Sequence, residues 1–250
     1  MNRIRQRLLI FALSAAVAGG ACADGKTGKA PAPSTAAKPA AAPLRAQPMR
    51  GPFPDLAAFC KTLKPAPERC LTDAADQEGN GFAALKEPQA PYRAVRLFAA
   101  GGVGWYAFYL GVQTEKGWYV QDVIEAVSDT KVRELVLDKS APALGALVRL
   151  RLAGANLMPA GPGSERTMQM CFEQLLLCGV GSSQNPSCLP ALRVANTPCK
   201  EFDGSQPMPP WDWQVRSAWK GSKELELALQ GTADFTAPTK LLGTHALVFP

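Results

Sequence analysis

From Tyr92 onward, apolar side chains recur with a period of two and seldom with the 3.6-residue period that builds helices. Tyr92 to Phe98 is one such run. Trp105 to Val112 and Trp118 to Ile124 flank Gln113-Thr114-Glu115-Lys116-Gly117, a glycine-bearing turn that predicts a hairpin. Val132 to Leu137 follows. Ala146, Val148, Leu150 and Leu152 then alternate with Leu147, Arg149 and Arg151. Met168, Met170, Phe172, Leu176 and Cys178 share a parity within a long run from Thr167 to Val180. Trp211, Trp213, Val215 and Trp219 share another. Leu225, Leu227 and Leu229 alternate with Glu224, Glu226 and Ala228, and the last run carries His245, Leu247 and Phe249 on one parity. Parallel pairing of so many strands would need crossover helices, which the pattern lacks. The expected fold is mainly β: an antiparallel β-sandwich or a partly open barrel, with up to three disulfides.

One short helix is expected ahead of the strands. Pro54 and Asp55 open it, Leu56, Phe59 and Leu63 fall on one face, and Pro65 stops it.

Seven cysteines set the next constraint: Cys22, Cys60, Cys70, Cys171, Cys178, Cys188 and Cys199. Six of them lie beyond residue 52, an even number that reads as disulfides in an exported chain. Cys60 and Cys70 flank a proline break and suit a local clip. Cys178 and Cys188 flank a turn-rich loop, and 171–199 would nest outside that pair. Four cysteines allow three connectivities, and the spacing leaves the choice open. Cys171 and Cys178 are an odd number apart, so a regular strand puts them on opposite faces.

The N-terminus supplies the export signal. Arg3, Arg5 and Arg7 precede an apolar run from Leu8 to Ala18, which is followed by small residues. Gly19-Gly20-Ala21-Cys22 resembles a bacterial lipobox, with a small residue before the cysteine and Gly19 where the pattern favours a branched or leucyl side chain. The resemblance implies diacylglycerol on Cys22. The other fate open to Cys22 is removal with the signal, by cleavage after Ala21-Cys22-Ala23. Residues 22–52 are rich in Ala, Pro and Lys and read as a disordered tether behind the anchor, because they bury too little to offset chain entropy. The expected organisation is therefore signal peptide 1–21, tether 22–52 and one β-rich domain 53–250.

Charge excludes one class of function. The chain carries +6, but residues 1–51 hold eight basic residues and one acid. The remainder holds 19 basic and 20 acidic residues, without the concentrated positive surface that nucleic acid needs.

Catalytic patterns are weak. His245 is the only histidine, so a histidine-based triad or metal site would have to use it. Glu224 and Glu226 share a strand face at glycosidase-like spacing, but their alternation with leucines reads as a solvent face. Ser128-Asp-Thr-Lys131 and Ser217-Ala-Trp-Lys220 match S-x-x-K, and Lys26-Thr27-Gly28 matches K-T-G, in the wrong order for penicillin-recognising enzymes. Gly102-Val-Gly104-Trp-Tyr-Ala107 has dinucleotide-type glycines but leads into a strand rather than a helix. No cofactor or metal is called for. The tryptophans Trp211, Trp213 and Trp219 form either a core stripe or a platform for stacking ligands, with Val215 on the same face favouring core.

The sequence therefore points to an exported envelope protein: an outer-membrane lipoprotein, or a periplasmic or extracellular one. It reads as a non-catalytic binding or structural module whose partner is a glycan, a peptide or an envelope protein. Two alternatives stand beside it. One is a secreted hydrolase with an unlocated site. The other is a disulfide-stabilised inhibitor presenting a loop such as Gly179 to Ser187.

Overall fold

The computed structural model describes residues 41–73, 83–102, 105–124, 130–159, 167–181, 184–198, 213–231 and 237–250. The first strands are β1 (Leu44–Arg45), β2 (Gln47–Pro48) and β3 (Arg50–Phe53), followed by α1 (Leu56–Cys60), β4 (Arg69–Leu71) and β5 (Ala83–Ala84). Then come β6 (Ala94–Gly102), β7 (Trp105–Thr114), β8 (Gly117–Ile124), β9 (Lys131–Asp138) and β10 (Leu147–Pro159). The remaining strands are β11 (Thr167–Val180), β12 (Pro186–Cys188), β13 (Leu192–Pro198), β14 (Trp213–Lys220), β15 (Glu224–Gly231) and β16 (Gly243–Val248). Every run that alternated in the sequence is a strand, and the protein is a mainly β, two-sheet sandwich.

The smaller sheet runs β3-β8-β7-β6-β4, with β5 also on β6. Alternation sends Val95, Leu97, Leu110, Val112 and Tyr119 inward and Phe98, Tyr109, Trp118 and Val120 outward. The inward set meets Val148, Leu150, Leu152 and Leu176 of the larger sheet, which makes the inter-sheet core. The outward set is covered by Leu56 and Phe59 of α1, so the central strands are buried on both faces. Close approach there needs Gly111, because a Cβ on it would lie 2.9 Å from the Leu56 side chain.

The expected helix over 54–63 is cut to five residues, Leu56–Cys60. The Asp55 carboxylate caps it by accepting from the Ala58 amide at 2.6 Å. Tighter bonds from Thr62 to Phe59 and from Leu63 to Cys60 end it. Pro65 forbids its continuation.

The larger sheet runs β1-β16-β15-β14-β13-β11-β10-β9, with β12 on β11 and β2 on β12. Its second face holds another core, built from Leu175, Leu177, Leu192, Trp213, Val215, Leu225, Leu227 and Leu247. Among the described residues no pairing joins β1 to β9, so the sheet curls without closing.

Two expectations are corrected. Residues 44–53, expected in the tether, form three strands. Ala46 and Met49 of this segment are buried, and Arg50 lies over the Phe59 ring and pairs with Asp122. The composition hid this because each strand is very short and borrows its partners from distant parts of the chain. In addition, the pairing is not wholly antiparallel: β1 lies parallel to β16, with Leu44 opposite Leu247. No crossover helix is required there, because the rest of the domain makes the crossing.

Cys60 is bonded to Cys70 and Cys178 to Cys188, as the spacing suggested. Cys178 and Cys188 lie directly opposite each other on β11 and β12, and both are buried. Cys171 is also disulfide-bonded. Cys199, expected as its partner, lies outside the described residues. Such bonds suit an oxidising compartment. Replacing both Cys178 and Cys188 by alanine is expected to cost about 2–4 kcal/mol. It should cost more than the same change at the less buried Cys60 and Cys70, because a cavity opens in the inter-sheet core. Urea unfolding midpoints of the two double variants check this order.

Candidate functional site

Polar side chains on β9, β10 and β11 meet in a half-buried ladder on the second face of the larger sheet. Its origin is local. On β10, Val148, Leu150 and Leu152 point to the inter-sheet core, so Arg149 and Arg151 must point the other way. Register places Glu134 opposite Arg151, Asp138 opposite Leu147 and Glu173 opposite Ala153. A bulge on β9 beside Arg151 and Leu152 turns Arg133 toward the same group.

Arg149 divides its guanidinium between two carboxylates. Nη1 donates to Asp138 Oδ2 and Nη2 to Glu134 Oε1, both at 2.7 Å. Arg151 Nη2 donates to Glu173 Oε2 at 2.7 Å, and Arg133 Nε lies 3.8 Å from Glu173 Oε1. Three arginines thus face three carboxylates, and the ladder is locally neutral. The Nε atoms of Arg149 and Arg151 are buried and have no hydrogen-bond partner among the described residues.

Asp138 is the buried end of the ladder, only 4 % exposed. It also accepts from the Ser140 amide at 2.8 Å and from Trp219 Nε1 at 3.2 Å. Trp219 sits on β14, four strand steps from β9 in the sheet order, so the sheet curls far enough for its indole to cross the interior. Burial pushes the Asp138 carboxyl upward. Hydrogen bonds from Ser140 and Trp219 and the charge of Arg149 outweigh it and hold the group below the usual carboxylate range. Burial likewise works against the charge on Arg149, yet Glu134 and Asp138 raise its affinity for its proton. An acid catalyst needs a carboxyl moved the other way. The arrangement instead holds a fixed set of donors and acceptors, with Arg151 43 % exposed at its outer end.

The sequence-derived candidates scatter. Trp213 is fully buried in the second core and cannot belong to a stacking platform. Alternation along β14 turned it inward, where the curl of the sheet closes over it. Trp219 is half-buried and spends its N–H on Asp138. Trp211, Cys22 and the lipobox-like residues lie outside the described residues. His245 is buried between two backbone carbonyls. Glu226 pairs with Lys220 at 3.1 Å, which takes that lysine out of the S-x-x-K reading. Gly102 ends β6 and Trp105 opens β7, so the glycine pattern spans a hairpin. The expected inhibitor loop does not protrude as one piece: Gly179 and residues 186–188 are buried, the latter as a strand on β11. Among the described residues no three histidine, cysteine or acidic side chains gather as a metal site.

Sequence reasoning read Arg149 and Arg151 only as the polar side of a strand and passed over Glu134, Asp138 and Glu173. The available signal was opposite charge at like-facing positions of neighbouring strands. Reading it required the register and the bulge.

Asp138 carries a pH signature. Its folded-state carboxyl ionises more readily than a free one, so its contribution is present above about pH 4 and is lost as pH falls through the lowered value. Asp138→Asn is expected to cost about 2–3 kcal/mol at pH 7, since Arg149 loses half its pairing inside the fold. It should flatten the loss of stability below about pH 4. Denaturation curves of both proteins from pH 7 to pH 2 measure the difference.

Searches of protein-family models, curated proteins and solved structures find no match to the chain. The functional reading therefore rests on the chemistry of the site itself.

Proposed function

We propose that the protein is an exported, non-catalytic binding module of the cell envelope, anchored through lipid on Cys22. The observation that carries the binding role is the ladder of Arg149, Arg151, Glu134 and Glu173. Its side chains are held in place by one another and are about one-quarter to two-fifths exposed. Groups fixed in this way lose little further entropy on contact. Their alternating sign suits a polypeptide segment carrying both charges better than a uniformly charged polymer. Asp138, held ionised and buried, acts as the foot of the ladder rather than as an acid catalyst. The disulfides favour an oxidising compartment, and the Gly19-Gly20-Ala21-Cys22 sequence supports the anchor.

The anchor is tested by intact mass after expression in a Gram-negative host. The expected chain begins at Cys22 and carries added acyl mass, and Cys22→Ser should release it from the membrane fraction. A lipid-free chain beginning near Asp24 would refute the anchor. The ladder is tested separately with Arg151→Ala and Glu173→Ala. These partly exposed positions should change stability by no more than about 1 kcal/mol. Crosslinking of the folded variants to envelope polypeptides should nevertheless fall relative to the unmodified chain. Unchanged crosslinking would move the binding surface elsewhere.

A further inference from the structure

Residues 41–49 form a strap along the edge of the larger sheet, and the chain's single histidine fastens it. Leu44 and Arg45 pair with β16, the Ala46 amide donates to the Val248 carbonyl at 2.9 Å, and Gln47 and Pro48 pair with β12. His245, 2 % exposed, lies beneath this strap. Its Nδ1 is 2.7 Å from the Ala42 carbonyl oxygen of the strap. Its Nε2 is 2.8 Å from the Leu241 carbonyl oxygen, in the 3-10 turn Thr239–Leu241 ahead of β16.

Both partners are acceptors with no proton to offer. A neutral imidazole has one N–H, so it can bond one carbonyl while turning a bare lone pair toward the other. The imidazolium has two N–H groups and bonds both. We propose that His245 is a proton-operated latch: the protonated ring ties the strap to the turn, and loss of the proton frees one of them.

The surroundings set what the latch must overcome. Leu225 lies opposite His245 on β15, and Leu44 and Leu247 share the cluster around it. Burial among them disfavours charge. Against it stand two short charge-assisted hydrogen bonds. Glu224 and Glu226 flank Leu225 on the opposite face of β15. Lys240 in the turn and Arg45 in the strap are exposed. From the far wall Asp138 and Arg149 face the same interior and neutralise each other. When the strap lifts, both carbonyl contacts are lost, so the fastened state holds the proton more tightly than the open one. Acid therefore favours the fastened state. Residues 1–40 continue from this strap, so the latch governs how firmly that segment is joined to the sheet. The inference does not depend on lipid at Cys22.

The test uses the full chain labelled with ¹⁵N, in which one imidazole spectrum reports His245 alone. At pH 5.5 both ring nitrogens are expected to carry protons. Exchange of the Ala46 amide, corrected for its intrinsic pH dependence, should be about fivefold slower than at pH 7.5, the worth of one modest hydrogen bond. His245→Gln keeps a donor but cannot titrate, so its corrected exchange should be equal at the two pH values. A ring that stays neutral at pH 5.5, or strap exchange that is unchanged or faster in acid, would overturn the latch. If the glutamine variant does not fold, the spectrum and exchange of the unmodified chain decide.

Discussion

β11 serves two cores at once, and both halves of the molecule rest on it. Its even-numbered residues Leu176 and Cys178 face the inter-sheet core, while Leu175 and Leu177 face the second one. It pairs with β10 along one edge and with β12 and β13 along the other. A one-residue slip would exchange the two faces and misplace side chains in both cores together. The Cys178–Cys188 bond fixes the register by joining directly opposed residues. The disulfide therefore specifies position as well as limiting the unfolded chain.

Curling of the larger sheet follows from this double duty. An apolar second face must be covered, and here the sheet covers itself, bringing β13–β16 over Leu175 and Leu177. The Trp219–Asp138 hydrogen bond marks where the curl brings opposite walls together. Burying a carboxylate and a guanidinium gains little net stability, because desolvation offsets their attraction. Separating them is costly, however, so the pair penalises any curl that would part Asp138 from Arg149. The same economy applies at the N-terminal strap, where a parallel two-residue strand is held through buried Ala46 and Met49 rather than by strand length.

Much of the architecture was visible in the pattern of residues, and much of the site was not. Period-two alternation located β6 to β11 and β14 to β16, because each has at least one face in a core. It passed over β1 to β5, β12 and β13. Most of these are too short to show a period, and β13 carries a bulge where Glu173 and Gln174 pair across from it. Local loops made the 60–70 and 178–188 pairings readable, since cysteines ten residues apart across a turn have few other partners. The charge ladder was not readable, because Glu134, Arg149 and Glu173 come from three strands, and only their register makes them neighbours.

By itself the sequence determined that the chain is a β protein with cysteines positioned for local clips, and that Trp213, on a core parity, points inward. Alternation and short loops are properties of neighbouring residues, and they act before any distant contact forms. Tertiary structure alone decided that residues 44–53 are strands, that Asp138 is buried and ionised, and that His245 stands between two carbonyls. Each of these depends on groups far apart in the chain: β16 for β1, Trp219 for Asp138, Ala42 for His245. A buried polar group is set by which partners the fold delivers to it, and no local pattern encodes that.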